Sequence, residues 1–227
     1  MGKRTYRTTT GRRRARQQQQ RAICLIIISI VCIVLVIFLC RKLFFSAQAN
    51  EDVMVMNESD MSDGPPLDVQ LLTVNEYSRP QIKLDKVKGI VIHYTANPGS
   101  TAQENRNYFD NLKDSHTTKA SSHFVIGLDG EIIQCIPSSE ISYASNDRNN
   151  DTLAIECCHP DESGEFTDAT YQSMVELTGW LCKKFNLKSS DIIRHYDITG
   201  KDCPKYFVEN EDAWEQFKKD VTARIKE

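Results

Sequence analysis

Ala22 to Cys40 are nineteen uncharged residues in succession, rich in Ile, Val and Leu. That is long enough to cross a hydrocarbon core as one helix, and no other segment of the sequence is. Eight Lys and Arg residues lie between Lys3 and Arg21 with no acidic residue among them, whereas only Arg41 and Lys42 follow the stretch closely. The positive-inside rule then holds the amino terminus in the cytoplasm and sends the remainder outward, the arrangement of a type II signal anchor. Ala47-Gln48-Ala49 offers a competing reading, cleavage of a signal peptide after Ala49. The apolar stretch is longer than a usual signal core, and two cations separate it from that site, so a retained anchor is favoured. A basic arm is also the electrostatic footprint of nucleic-acid binding. Here the adjacent span accounts for the charge, and no nucleic-acid partner is expected.

The span divides the chain into a basic arm (1–21), the membrane helix (22–40), an acidic flexible spacer (41–66) and one domain (67–227) that opens with an extended leader over Leu67 to Lys83. All 31 acidic residues but only 18 of the 28 basic ones follow residue 45, a balance of −13. Long-range attraction to polyanionic partners therefore does not drive binding. The spacer carries Glu51, Asp52, Glu58, Asp60 and Asp63 and ends in a Gly64-Pro65-Pro66 break.

Within the domain, strand-like and helix-like segments alternate without an internal repeat. Gly89 to Tyr94 is an apolar run of strand length. Ser122–Leu128 and Glu131–Ile136 flank Asp129-Gly130, a two-residue hairpin signal. Thr152–Cys157 and Asp191–Arg194 are further strands. Tyr171, Met174, Val175, Thr178, Leu181, Cys182 and Phe185 make one helical face, as do Trp214, Phe217, Val221 and Ile225, and Thr101–Asp114 is a third helix. The expected fold is α/β, a central mixed β-sheet flanked by helices and preceded by one transmembrane helix.

Three residues stand out for their chemistry. His93 ends the first strand, His195 follows another short apolar segment, and Cys203 comes after a Gly-containing loop. Two imidazoles and a thiolate suit Zn2+, and three protein ligands leave a fourth position open, as a catalytic site requires. Taken singly, each is more often a satisfied polar residue or a small buried hydrophobe. The other cysteines show no disulfide spacing: Cys24, Cys32 and Cys40 fall in the span, and Cys135, Cys157, Cys158 and Cys182 form no pattern. Adjacent Cys157 and Cys158 point to opposite sides of a strand. Unpaired thiols in an exported chain suggest a bacterial setting.

The segments "GIVIHYTA", "SSHFVIGLDGEIIQCIP", "DTLAIECC" and "RHYDITGKDCP" resemble, in order and spacing, the zinc-dependent N-acetylmuramoyl-L-alanine amidases of the type 2 family, over about residues 85 to 205. That family includes phage-lysozyme amidases and animal peptidoglycan recognition proteins. The resemblance implies a membrane-anchored hydrolase that cuts peptidoglycan between N-acetylmuramic acid and L-alanine, with His93, His195 and Cys203 as zinc ligands. It also implies Glu156 as general base and Lys201, at the family's K-x-C spacing, as the group that stabilises the oxyanion. Without it, Glu156 would read as a surface strand carboxylate and Lys201 as a solvated loop lysine. Many relatives carry a catalytic Tyr immediately before "HF", where this chain has Ser122, so the Glu156 mechanism gains weight. His123 is expected to be packed or to support a ligand, and His116 and His159 to be surface groups. Tyr143, Asn146 and Arg148 either line the cleft for the stem peptide or belong to a polar loop without ligand contacts.

Some relatives bind peptidoglycan without cutting it, which makes a non-catalytic recognition module the alternative. Loss of the zinc cysteine would mark such a receptor; Cys203 is present.

Overall fold

The computed structural model describes residues 64–227; the basic arm, the predicted span 22–40 and residues 41–63 of the spacer lie outside the described residues. Among the described residues no helix is long and apolar enough to cross a membrane.

Six strands make one sheet: β1 (Asp68–Val69), β2 (Gly89–Tyr94), β3 (Phe124–Ile126), β4 (Ile132–Gln134), β5 (Thr152–Cys157) and β6 (Ile192–Arg194). Their order is β1-β4-β3-β5-β2-β6, and all neighbours are parallel except the β3–β4 hairpin. The central strands β2 and β5 are nearly continuous apolar runs because both of their faces are covered, as parallel strands require. Five α-helices are found among the described residues: α1 (Ala102–Ser115), α2 (Asp168–Phe185), α3 (His195–Thr199), α4 (Lys205–Glu209) and α5 (Glu211–Lys226). This is the mixed sheet flanked by helices that the sequence pattern predicts.

Strand parity sorts the side chains into two cores. Ile92, Phe124, Leu153 and Ile155 pack with Met174, Leu177 and Leu181 of α2 and with Trp214, Phe217 and Val221 of α5. On the opposite face Val125 and Ile133 pack with Phe109 of α1 and with Leu72 of the leader. Cys157 belongs to the first core and Cys158 to the second, so the adjacent thiols do point apart.

Local signals explain where the helices start and stop. Thr101 caps α1 in a capping box with Glu104, and the helix ends at His116 in the left-handed region. Thr167 caps α2, which ends at left-handed Asn186. The hairpin departs from the two-residue turn expected for Asp129-Gly130. Gly127 N–H donates to the Glu131 carbonyl at 2.8 Å, leaving Leu128, Asp129 and Gly130 as a three-residue loop. Gly130 sits at φ 84°, the left-handed position such a loop places last. The leader runs along the sheet edge: β1 pairs with β4, and Arg79 is bound at 2.9 and 2.8 Å by both oxygens of Glu140.

Candidate active site

Parallel strands bring their carboxyl ends to one edge of a sheet, where open α/β folds build ligand sites. The register here puts His93 of β2 opposite Glu156 of β5, so both side chains rise from the same face. On the other flank Ile92 pairs with Arg194 of β6, and His195 follows at once as the first residue of α3. Cys203 is returned to the same place by the loop after α3, where Tyr196 N–H donates to its carbonyl at 2.9 Å.

The ligand atoms of His93, His195 and Cys203 all lie within 4.8 Å of one another, and all three residues are buried. Among the described residues they are the one group of His, Cys, Asp or Glu that can hold a metal ion. The Cys203 Sγ is 3.8 Å from His93 Nδ1, and the two imidazole centroids are 4.7 Å apart. Burial, the neighbouring His195 and the Lys201 ammonium hold His93 well below the usual imidazole range. Burial and Lys201 also lower His195. Burial, with Glu156 beside it, pushes the Cys203 thiol up to about 12. Both imidazoles are thus neutral, the state in which they can ligate, and for the thiol the Lys201 ammonium offsets only part of the burial. Two nitrogen donors and one sulfur donor packed this closely fit zinc.

Glu156 completes the group. The residue is only partly exposed, its Oε2 is sealed from solvent, and no hydrogen-bond partner reaches that oxygen. Burial pushes its carboxyl up to about 8, a shift that the Lys201 ammonium partly offsets. Lys201 itself is exposed, on the loop between α3 and Cys203, and its field reaches both histidines, Glu156 and Cys203. A buried carboxylate with a raised pKa next to metal-ligating groups is a pattern common at catalytic sites.

The three residues considered for substrate binding separate. Asn146 comes to the centre, where its Oδ1 accepts from His195 Nε2 at 2.8 Å. Arg148 does not: it pairs with Asp151 at 2.7 Å and lies beside Gly89, at the amino end of β2, whereas His93 is near the carboxyl end. Its charge is used to hold the entry to β5. Tyr143 is half-buried and packs on the larger core, its backbone paired with Ser121.

His123 is packed: its Nδ1 accepts from Ala154 N–H at 3.0 Å, which leaves Nε2–H to donate to the Glu140 carbonyl at 2.9 Å. Burial pushes it down to about 4, so it is a neutral cross-brace. Ser122 turns its hydroxyl onto the Phe124 carbonyl at 2.8 Å and is fully buried, offering nothing in place of a tyrosine. His116 is exposed, stacked on Tyr77. His159 is not a surface group: it is buried, with Nδ1 2.7 Å from the Asp161 carbonyl and its ring against Tyr94. A polar sequence neighbourhood hid the fact that the loop after β5 folds back over the sheet end.

Two residues that the sequence did not single out matter. Ser145 places its Oγ 3.2 Å from His93 Nε2. Arg194 is buried and bonds Asp197, the Phe207 carbonyl and Glu211 while lying 5.3 Å over the Trp214 ring, tying β6 and α3 to α4 and α5. The clue to Arg194 was a cation in an apolar strand, which needs a partner.

Residues 83–206 match the family described as N-acetylmuramoyl-L-alanine amidase. The chain belongs to this family. The N-acetylmuramoyl-L-alanine amidase CwlL of Bacillus licheniformis is 36% identical over 165 residues, which cover 67% of this chain and 45% of that protein. The amidase BlyA of Bacillus subtilis (strain 168) is 35% identical over 175 residues, 68% of this chain and 46% of that protein. The chain thus spans about half the length of the curated relatives it matches. Among solved structures, the catalytic domain of XlyA superposes with a TM-score of 0.59 at 25% identity, over 69% of this chain and 99% of that one. PlyL, at 23% identity and a TM-score of 0.60 over 69% of this chain and 97% of that one, shares the fold. The matched residues run from Lys83, at the leader's end, past Cys203 to Tyr206.

Proposed function

We propose that the protein is a zinc-dependent peptidoglycan hydrolase that cleaves the amide bond between N-acetylmuramic acid and the L-alanine of the stem peptide. The observation that carries this reading is the close grouping of His93, His195 and Cys203 at the strand ends, with the unpaired Oε2 of Glu156 on the same face. Those three residues would hold one zinc ion, which when bound polarises the scissile carbonyl and makes water at the site more acidic. Glu156 takes a proton from the attacking water and passes it to the departing amine as the C–N bond breaks. A raised pKa suits it to both halves of that task near neutral pH. The Lys201 ammonium stabilises negative charge as it develops on the carbonyl oxygen. Exposure lets Lys201 reach a bound substrate, whereas the ligands are sealed behind it.

The recognition-module alternative has less support, because a receptor needs neither a complete ligand set nor a costly buried carboxylate. The span 22–40 and basic arm 1–21 support anchoring as a type II membrane protein with residues 41–66 as spacer and the amidase domain outside the cell. A direct test is mass spectrometry of purified peptidoglycan digested by the protein. Free stem peptides with a new L-alanine amino terminus are expected; cleavage within the peptide or the glycan refutes the assignment.

A further inference from the structure

Each zinc-site histidine has a second ring nitrogen, and both of these meet one dipeptide. Ser145 Oγ lies 3.2 Å from His93 Nε2, and Asn146 Oδ1 lies 2.8 Å from His195 Nε2. An amide oxygen only accepts, so His195 Nε2 carries the proton and its Nδ1 is bare. In His93 it is Nδ1 that faces the Cys203 sulfur, at 3.8 Å, which turns Nε2 toward the hydroxyl. From these contacts we infer that Ser145 and Asn146 are positioning residues that fix the tautomer of both histidines, so that each presents Nδ1 to the metal. This inference rests on the zinc reading given above.

The loop around them is built to hold that aim. Asn149 Oδ1 accepts from Ala144 N–H at 3.1 Å and Ser145 N–H at 2.6 Å. Thr152 at the start of β5 donates to the Arg148 carbonyl at 2.7 Å, and Arg148 is clamped by Asp151. Ser145 is buried. Asn146 is held at φ 51°, a left-handed backbone that asparagine tolerates better than most residues. A loop that served only to enter β5 would need neither the hydroxyl on one imidazole nor the strained asparagine on the other. Both make sense together if the loop sets which nitrogen is free. Ligating imidazoles usually donate their other N–H to such an acceptor, which orients the ring and raises its basicity.

The test uses the full-length protein, zinc chloride and a chromophoric chelator as competitor. Asn146→Gly keeps the left-handed backbone while removing the acceptor, and it is expected to weaken zinc binding about 10- to 100-fold. Asn146→Asp restores an acceptor that cannot donate, and should return affinity to within about threefold of wild type. Ser145→Ala should cost about tenfold. Long-range nitrogen–proton correlations of the zinc-loaded wild type should show protonated Nε2 and zinc-bound Nδ1 in both His93 and His195, a measurement that needs no variant to fold. Wild-type zinc affinity in Asn146→Gly, failure of Asn146→Asp to rescue, or a zinc-bound Nε2 overturns the inference. If wild type takes up one zinc through Cys203 while Asn146→Gly binds equally well, only the tautomer role falls. If wild type takes up no zinc, the hydrolase reading falls with it.

Discussion

Replacing Glu156 by Gln should move activity and stability in opposite directions. The amide keeps the shape of the carboxyl group but cannot accept a proton. A positioned general base contributes about 10²- to 10⁴-fold to rate, so turnover should fall by that factor while substrate binding and zinc content persist. Stability follows from burial. The Glu156 carboxyl is raised from 4.5 to about 8 in the metal-free fold. Between those values the unfolded chain is ionised and the folded one holds the proton, so the folded state loses stability as pH rises from 4.5 through 8. At about 1.4 kcal/mol per unit the full shift corresponds to roughly 5 kcal/mol, an upper bound for a group that is partly exposed. A buried amide with unmade hydrogen bonds returns about 1–3 kcal/mol of that at every pH, leaving a net gain of at most about 2–4 kcal/mol above pH 8 and a net loss of about 1–3 kcal/mol near pH 4.

The assay pairs denaturant unfolding of metal-free wild type and variant at several pH values with release of L-alanine amino termini from peptidoglycan by the zinc-loaded forms. Near-normal turnover by Glu156→Gln with zinc bound would refute the general-base role and redirect attention to Tyr143. A stability difference that does not grow with pH would refute the burial argument, because a purely steric effect has no proton linkage.

Lys201→Ala should depress turnover by about 2.7–4 kcal/mol if it resembles loss of an oxyanion donor; unaltered single-turnover rates would remove it from the site. Cys203→Ser replaces a soft thiolate by a neutral hydroxyl and should lower zinc occupancy, measured by metal analysis after dialysis; full occupancy and activity would show that Cys203 is not a ligand. Arg194→Met deletes charge-assisted hydrogen bonds worth about 1.5–3 kcal/mol each at most, and should destabilise by about 2–4 kcal/mol in urea; a change below about 0.5 kcal/mol, typical of a surface substitution, would contradict its role as a tie between β6 and α5. A reporter fused after Glu227 should lie outside the cell with the basic arm retained in the membrane fraction; mature protein beginning at Asn50 would instead indicate cleavage after Ala49.

The sheet was legible because its strands announce themselves by composition. Thr152–Cys157 appears with the same bounds in sequence and structure, and Thr101 and Glu104 mark the start of α1 by their chemistry alone. Boundaries faltered where hydrogen-bond register decides them. Ser122 and Leu128 look like strand residues, yet β3 is only Phe124–Ile126, since the three-residue loop at Gly130 closes the ladder earlier. Arg148 and Asn146 sit two residues apart in one polar stretch, and nothing local tells which turns to the strand entry and which to His195.

The difference between the legible proposed ligands and the illegible supports inferred for them has a physical origin. A ligand is constrained by its own chemistry: few residue types can bind zinc, and strand ends deliver them in a recognisable order. A support is constrained only by what it must accept or donate, and Ser, Asn, a backbone carbonyl or a water can all do that. His123 illustrates the same asymmetry, since its two partners are the backbone of Ala154 and Glu140, which leave no mark in side-chain identity. Register converts such anonymous groups into specific ones: one residue of slip between β2 and β5 would send Glu156 to the face opposite His93. The continuous apolar pairing of β2 with β5 in the core thus does more than stabilise the fold, because it fixes the side of the sheet on which the carboxylate and the imidazole meet.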